Sequence, residues 1–146
     1  CHFEQILLSA GACTWEELKQ AVSLVTAEKL VLMHCVSAYP CPAENVNLPK
    51  LERLKNLSSI IGYSGHFKGI DDAIAAICLE ARYVEKHFTI DQNLPGRDNM
   101  NAILPEDLLQ LSSFRNNYLK MIENRGLDLQ SIEKDINKNY RGRWSL

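Results

Sequence analysis

No apolar run in this chain of 146 residues approaches the roughly 20 residues that a membrane-spanning helix requires. The longest, such as Leu30 to Cys35, are far shorter, and no charged-then-apolar leader opens the chain. A membrane is therefore not expected as a partner. Excess charge of either sign is missing too: 16 basic and 18 acidic residues give a net charge of -2 and are spread along the chain. Nothing in that balance draws it to nucleic acid or to an anionic surface. Arg141, Arg143 and Trp144 make a basic and aromatic tail, but no basic patch supports them as a nucleic-acid contact. The cysteines Cys1, Cys13, Cys35, Cys41 and Cys78 contain no C-x-x-C pair, their number is odd, and two lie in apolar runs. That usage belongs to a reducing compartment, so a cytoplasmic location is expected. Nor does the spacing of His34, Cys35 and Cys41 match a common zinc pattern. An initiating Met is absent as well: the chain starts at Cys1, with a strand-like segment within five residues, and is expected to be a fragment.

What is present is enough hydrophobic content, 46%, to bury one core. Apolar runs at Gln5 to Ser9, Leu30 to His34, Ser59 to Ser64 and Tyr83 to Phe88 read as buried strands. Helical signals separate them. Thr14 and Glu17 have capping-box spacing ahead of the stripe Leu18, Ala21, Val22 and Val25, which predicts a helix to about Thr26. A weaker helix is expected over about Pro49 to Leu57, after a loop in which Pro40, Pro42 and Pro49 discourage helix. Two more are expected at Asp71 to Leu79 and at Pro105 to about Asn124, each with acidic residues in its first turn. Beyond Arg125-Gly126 the periodicity fades. Strand and helix alternating four times imply parallel strands, right-handed crossovers and a sheet order that follows chain order. This is an α/β chain of about four β/α units, half of a (β/α)8 TIM barrel, a fold that takes about 250 residues when whole. An open doubly wound sheet is the alternative.

Ligands of such folds bind at the carboxyl ends of the strands. Those ends carry Ser9-Ala-Gly11, His34-Cys-Val-Ser-Ala-Tyr39, Tyr63-Ser-Gly-His66 and Glu85-Lys-His-Phe88. Residues two apart share a face, so Ser64 goes with His66 and Glu85 with His87. Adjacent strands are about 4.8 Å apart, which lets both imidazoles reach one ion with positions left open for water and substrate. The plainer reading, that each histidine is a hydrogen-bonded strand-end residue, stands beside it. His34 reads as structural. Ser9 to Thr14 links a strand to a helix through small residues, which suits either an anion rest or a tight turn. Pro95-Gly-Arg-Asp98 suits either a charged flap over the site or a solvated turn.

The segments Leu8-Ser-Ala-Gly11, Met33-His-Cys-Val-Ser-Ala-Tyr-Pro40, Ile61-Gly-Tyr-Ser-Gly-His66, Val84-Glu-Lys-His-Phe-Thr89 and Leu94-Pro-Gly-Arg-Asp98 together resemble the sialic acid synthase (nonulosonic acid synthase) family. That resemblance implies that residues 1-125 are the second half of the family's catalytic barrel and 126-146 a tail or linker. It implies that His66 and His87 are ligands of a divalent ion, Mn or Mg, and candidate catalytic residues with Glu85. Ser9, Ser37 and Ser64 match phosphoenolpyruvate contacts, Tyr39 matches a residue near the sugar, and Asp98 matches the aspartate of the loop after the last strand. The reaction so implied condenses phosphoenolpyruvate with an N-acyl amino sugar such as N-acetylmannosamine and releases phosphate. The implied partners are those two substrates, the missing N-terminal half of the barrel, and further copies in a homo-oligomer. Departures accompany the likeness. Gly65 stands where many relatives have Asp, which puts support for His66 in question; Ala10 and Ala12 replace Thr and Met, and Arg97-Asp-Asn99 replaces Pro-Asp-His. Two other readings stay open: a non-catalytic half-barrel that assembles with itself or another chain, and a different metal-dependent aldolase on the same scaffold.

Overall fold

The computed structural model describes residues 3-142; the notable Arg143 and Trp144 of the tail, and Cys1, lie outside them. Four parallel strands, β1 (Ile6–Ser9), β2 (Leu30–Cys35), β3 (Ile60–Gly65) and β4 (Tyr83–Lys86), form one sheet in the order β1-β2-β3-β4. Leu8 lies opposite Leu32, Leu32 opposite Ile61, and Tyr63 opposite Val84. All six residues of β2 are buried, as an inner strand of a parallel sheet must be, which is why it reads as an unbroken apolar run. The sheet is the four-stranded half of a β/α barrel, with β1 and β4 as its open edges.

Helices α1 (Trp15–Ser23), α2 (Lys50–Leu54), α3 (Asp71–Cys78) and α4 (Pro105–Met121) follow the strands in turn. The capping box is made: Thr14 Oγ1 accepts from the Glu17 amide, while Glu17 Oε2 accepts from the Thr14 amide at 2.8 Å. α1 ends at Ser23 rather than near Thr26, where a 3-10 turn over Ala27–Lys29 takes over. α2 is shorter than its apolar pattern, ending at Leu54. α3 closes with paired bonds, Ala81 N to Ala76 O and Glu80 N to Ile77 O, which carry Glu80 into the left-handed region at φ 69°. A short helix that the fading periodicity hid, α5 (Lys134–Asn139), follows at the carboxyl end.

The core lies between the sheet and its helices. Leu8, Leu32, Ile61 and Tyr63 meet Leu18 of α1, Leu51 and Leu54 of α2 and Ala76 of α3. Val84 meets Ala73 and Ile77 of α3 and Leu111 of α4 in a second cluster. The residues that alternate with these, Leu7, Met33, Gly62 and Tyr83, belong to neither cluster. They form the concave face, where Leu7 is half exposed. Among the described residues no helix is long and apolar enough to cross a membrane.

Candidate active site

The site grows out of strand register. Ser64 of β3 pairs with Glu85 of β4 and Gly65 with Lys86, so the next residue of each chain, His66 and His87, stand side by side just past the strand ends. Ser64 Oγ donates to Glu85 Oε1 at 2.7 Å on the same face. The alternation that groups Ser64 with His66 and Glu85 with His87 is thus the arrangement observed.

His66 is held from two directions. Its carbonyl accepts from the Cys41 amide at 2.9 Å, and its Nδ1 lies 2.8 Å from the Val36 carbonyl. A carbonyl only accepts, so Nδ1 carries the proton and Nε2 keeps its lone pair. The thiol of Cys35 sits 3.8 Å from the same Nδ1. The ring of His87 has no hydrogen-bond partner among the described residues, while its carbonyl accepts from Ile103 at 2.8 Å. The ring centres of His66 and His87 are 5.4 Å apart. Tyr39 stands over both, its ring centre 4.0 Å from that of His66 and 5.9 Å from that of His87. Tyr39, Pro40, His66, His87, Asp98 and Asn101 line a pocket with about 10 Å³ of free space, room for about one water molecule.

These residues fit a divalent ion in part. With nitrogen–metal bonds of about 2.1 Å, two imidazoles sharing an ion have ring centres about 5 Å apart. A ligand histidine ordinarily donates its other nitrogen to a carbonyl or carboxylate, as His66 does to Val36. The donor set on this chain is nonetheless small: among the described residues no group of three His, Cys, Asp or Glu side chains is assembled that could hold an ion. Asp98 lines the pocket with the histidines, whereas Glu85 is engaged by Ser64.

The remaining candidates spread along the rim. Ser9 ends β1, and its Oγ accepts from the Gly11 amide at 3.3 Å. A Cβ on Gly11 would meet Ser37 Oγ at 2.7 Å, which places Ser37 against the β1 turn. Ser9, Ser37, Tyr39 and Glu85 are exposed and Ser64 is buried. His34 is not at the site. It is fully buried on the helix side, with Nε2 donating to the Val46 carbonyl at 2.8 Å and Nδ1 without a partner. Burial, ahead of the nearby Lys50 charge, pushes its pKa down, so the ring is neutral.

Two features escape a reading of motifs. One is the Val36 carbonyl, since a main-chain acceptor leaves no mark on residue type. The other lies behind the histidines, on the helix face of the sheet. Lys86 Nζ donates to the Phe67 carbonyl at 2.6 Å and to both oxygens of Asp72 at 3.1 Å, and Tyr63 OH donates to Asp72 Oδ2 at 2.8 Å. Burial first, then the Asp72 charge, hold the Tyr63 phenol far above its ordinary pKa. A Cβ on Gly65 would collide with the Asp72 carboxylate and the Tyr63 ring. A lysine inside a strand, next to Glu85, was the available signal.

A family model described as the NeuB family matches residues 2–125. The chain is 34% identical over 114 residues to N,N'-diacetyllegionaminic acid synthase of Campylobacter jejuni, a match covering 74% of this chain and 34% of that protein. It is 33% identical over 110 residues to N-acetylneuraminate-9-phosphate synthase of Homo sapiens, covering 73% of this chain and 31% of that one. Among solved structures, N-acetylneuraminic acid (sialic acid) synthetase of Leptospira borgpetersenii in complex with citrate superposes with a TM-score of 0.78 at 32% identity, over 94% of this chain and 50% of that one. The chain spans about a third of the length of these curated relatives and half of this solved chain.

Proposed function

Because the chain belongs to the NeuB family, we propose that it contributes one wall of the active site of a nonulosonic acid synthase, which joins phosphoenolpyruvate to an N-acyl amino sugar. The observation that carries this reading is the His66–His87 pair, 5.4 Å between ring centres, with His66 Nδ1 tied to the Val36 carbonyl. His66, through Nε2, and His87 hold a divalent ion, Mn or Mg. When bound, that ion supplies Lewis-acid activation of the open-chain sugar's aldehyde oxygen.

The chain's own groups do the rest of the work on this wall. Carbon 3 of phosphoenolpyruvate bonds to the aldehyde carbon, water adds to carbon 2, and the carbon–oxygen bond to phosphate breaks. The products are one nonulosonic acid and one inorganic phosphate. Ser9 and Ser37 donate hydroxyls toward the carboxylate and phosphate of phosphoenolpyruvate, where fixed donors act strongly in a site partly closed to water, while Ser64, whose one proton goes to Glu85, has only its oxygen lone pairs left to offer. The carboxylate of Glu85, kept at the strand end by Ser64, is placed to accept a proton or a hydroxyl hydrogen bond. Tyr39 and Asp98 face the sugar. The other wall comes from a first half of the barrel, which pairs with the open edges of β1 and β4 and leaves the chain by itself inactive.

Phosphate release tests this reading. With the first half of a barrel supplied by co-expression, release from phosphoenolpyruvate is expected to depend on an N-acyl amino sugar and on a divalent ion, and to fall at least 100-fold in His87→Ala. No release by the assembled halves contradicts it and favours the non-catalytic module.

A further inference from the structure

The buried lysine between Glu85 and His87 has no part in the chemistry above, yet on the helix face of the sheet it ties together the two pieces of chain carrying the histidines, as the Ser64–Glu85 bond does on the concave face. Lys86 is the residue before His87. Its Nζ donates to the carbonyl of Phe67, the residue after His66, at 2.6 Å. Its other donors go to Asp72, the second residue of α3, whose carboxylate also takes the Tyr63 hydroxyl and the Ala73 amide. An ammonium has three donors, and all three are used. The pair is sealed, with 4% of the Lys86 side chain and 1% of the Asp72 side chain exposed.

Stability alone gives little reason for such a pair. Desolvating two charges offsets most of their attraction, and well-packed apolar residues of similar size often serve as well or better. What an apolar pair cannot do is grip a carbonyl. The opposite side of His66 is already fixed to β2's loop through Val36 and Cys41, and His87 is pinned by Ile103. Beyond the β3–β4 ladder and the Ser64–Glu85 bond, the bond from Lys86 to Phe67 is the tie that reaches past the strand, running from β4 to the exit of β3.

We propose that Lys86 is a positioning residue for the histidine pair: through the Phe67 carbonyl and Asp72 it fixes the spacing of His66 and His87, and with it the affinity of the pair for a divalent cation. This rests on the reading of the two histidines as ligands. Gly65 belongs to the same device, since any side chain there would displace the Asp72 carboxylate.

The test uses the 146-residue chain, with its histidines isotope-labelled and assembled with an unlabelled first half-barrel, Mn(II) alone as probe, and proton spectra of the labelled histidine rings with and without the ion. Lys86→Met leaves Asp72 buried without its partner, so the double variant K86M/D72L, which removes both charges, is compared with it. In wild type, Mn(II) is expected to broaden the ring resonances of His66 and His87 at lower concentration than those of His34. In K86M/D72L the concentration giving equal broadening is expected to rise at least tenfold. The ion-free ring shifts of His66 and His87 are expected to move. Unchanged Mn(II) response and unchanged ion-free shifts overturn the proposal while the ligand reading survives. If wild type shows no response to Mn(II), the ligand reading fails instead, and the ion-free shifts alone decide positioning: moved in the double variant they support it, unmoved they overturn it. A double variant that does not fold also overturns it, because the pair is then a requirement of the fold and not of the histidines.

Discussion

His34 and His66 are one strand apart in the fold and have opposite fates, decided by which face of the sheet each meets. His34 is buried on the helix side with a proton on Nε2 and no acceptor for a second one on Nδ1. Its pKa is lowered in the fold, so the unfolded chain takes up the proton first: stability is full above the ordinary histidine pKa of about 6.5 and is lost as pH falls below it. Denaturant midpoints between pH 7.5 and 5 are expected to fall in wild type, and to fall less steeply in His34→Gln, whose amide keeps a donor for Val46. An equal slope in the two proteins contradicts this assignment. Gly65 makes the complementary point. Its place just ahead of His66 was legible as a departure from the family's text, but the reason was not: the space a side chain would need is filled by Asp72 and Tyr63. Gly65→Ala is expected to cost about 1–3 kcal/mol, as overpacking does, measured by urea unfolding. A cost at most half as large when Gly65→Ala is made in the D72A/K86M background, which has neither the carboxylate nor its buried partner, would locate the clash.

Strands and helices were readable where one period dominated the chain. β2 and β3 are apolar runs bounded by turn residues, and α1, α3 and α4 announce their starts through Thr14 with Glu17, Asp71 with Asp72, and Pro105 with Glu106. Their ends were less legible, because the last turn of a helix is set by what packs there. α2 stops at Leu54 although the apolar pattern continues to Leu57. α3 stops through a left-handed residue that is not glycine: Glu80 has φ 69°, a conformation that costs a residue with a Cβ and costs glycine nothing. It is also paired with Lys55 across the surface at 2.7 Å, a contact of small worth in water. Glu80→Gly is therefore expected to raise the thermal midpoint by about 2–5 °C, the backbone relief outweighing the lost pair. A lowered midpoint would show that the ion pair holds the end of α3. The rim was legible as a set of strand ends, whereas the tie from Lys86 to Phe67 was not, since it joins residues that no local pattern relates.

As a whole molecule the chain is an open sheet with its helices on one face, and its site is open in the same sense. The two histidines come from neighbouring strands and reach one pocket, but the described residues bring no third strong donor to them. Ligands from water and from a completing half-barrel are what such a pair calls for. Covering the concave face, where Leu7 is half exposed, and pairing the edges of β1 and β4 removes the unpaired strand edges that promote aggregation. Co-expression with a first half-barrel is thus expected to convert an aggregation-prone chain into a complex of defined mass, read by light scattering; an isolated chain already of defined mass as a monomer contradicts that. The central claim is narrower and can be met directly: His66 and His87 share one divalent ion. A Mn(II) titration of wild type and His87→Ala, followed by broadening of the His66 ring resonances, is expected to show a response in wild type that weakens at least tenfold in the variant. Equal broadening of His66 in both proteins would contradict it.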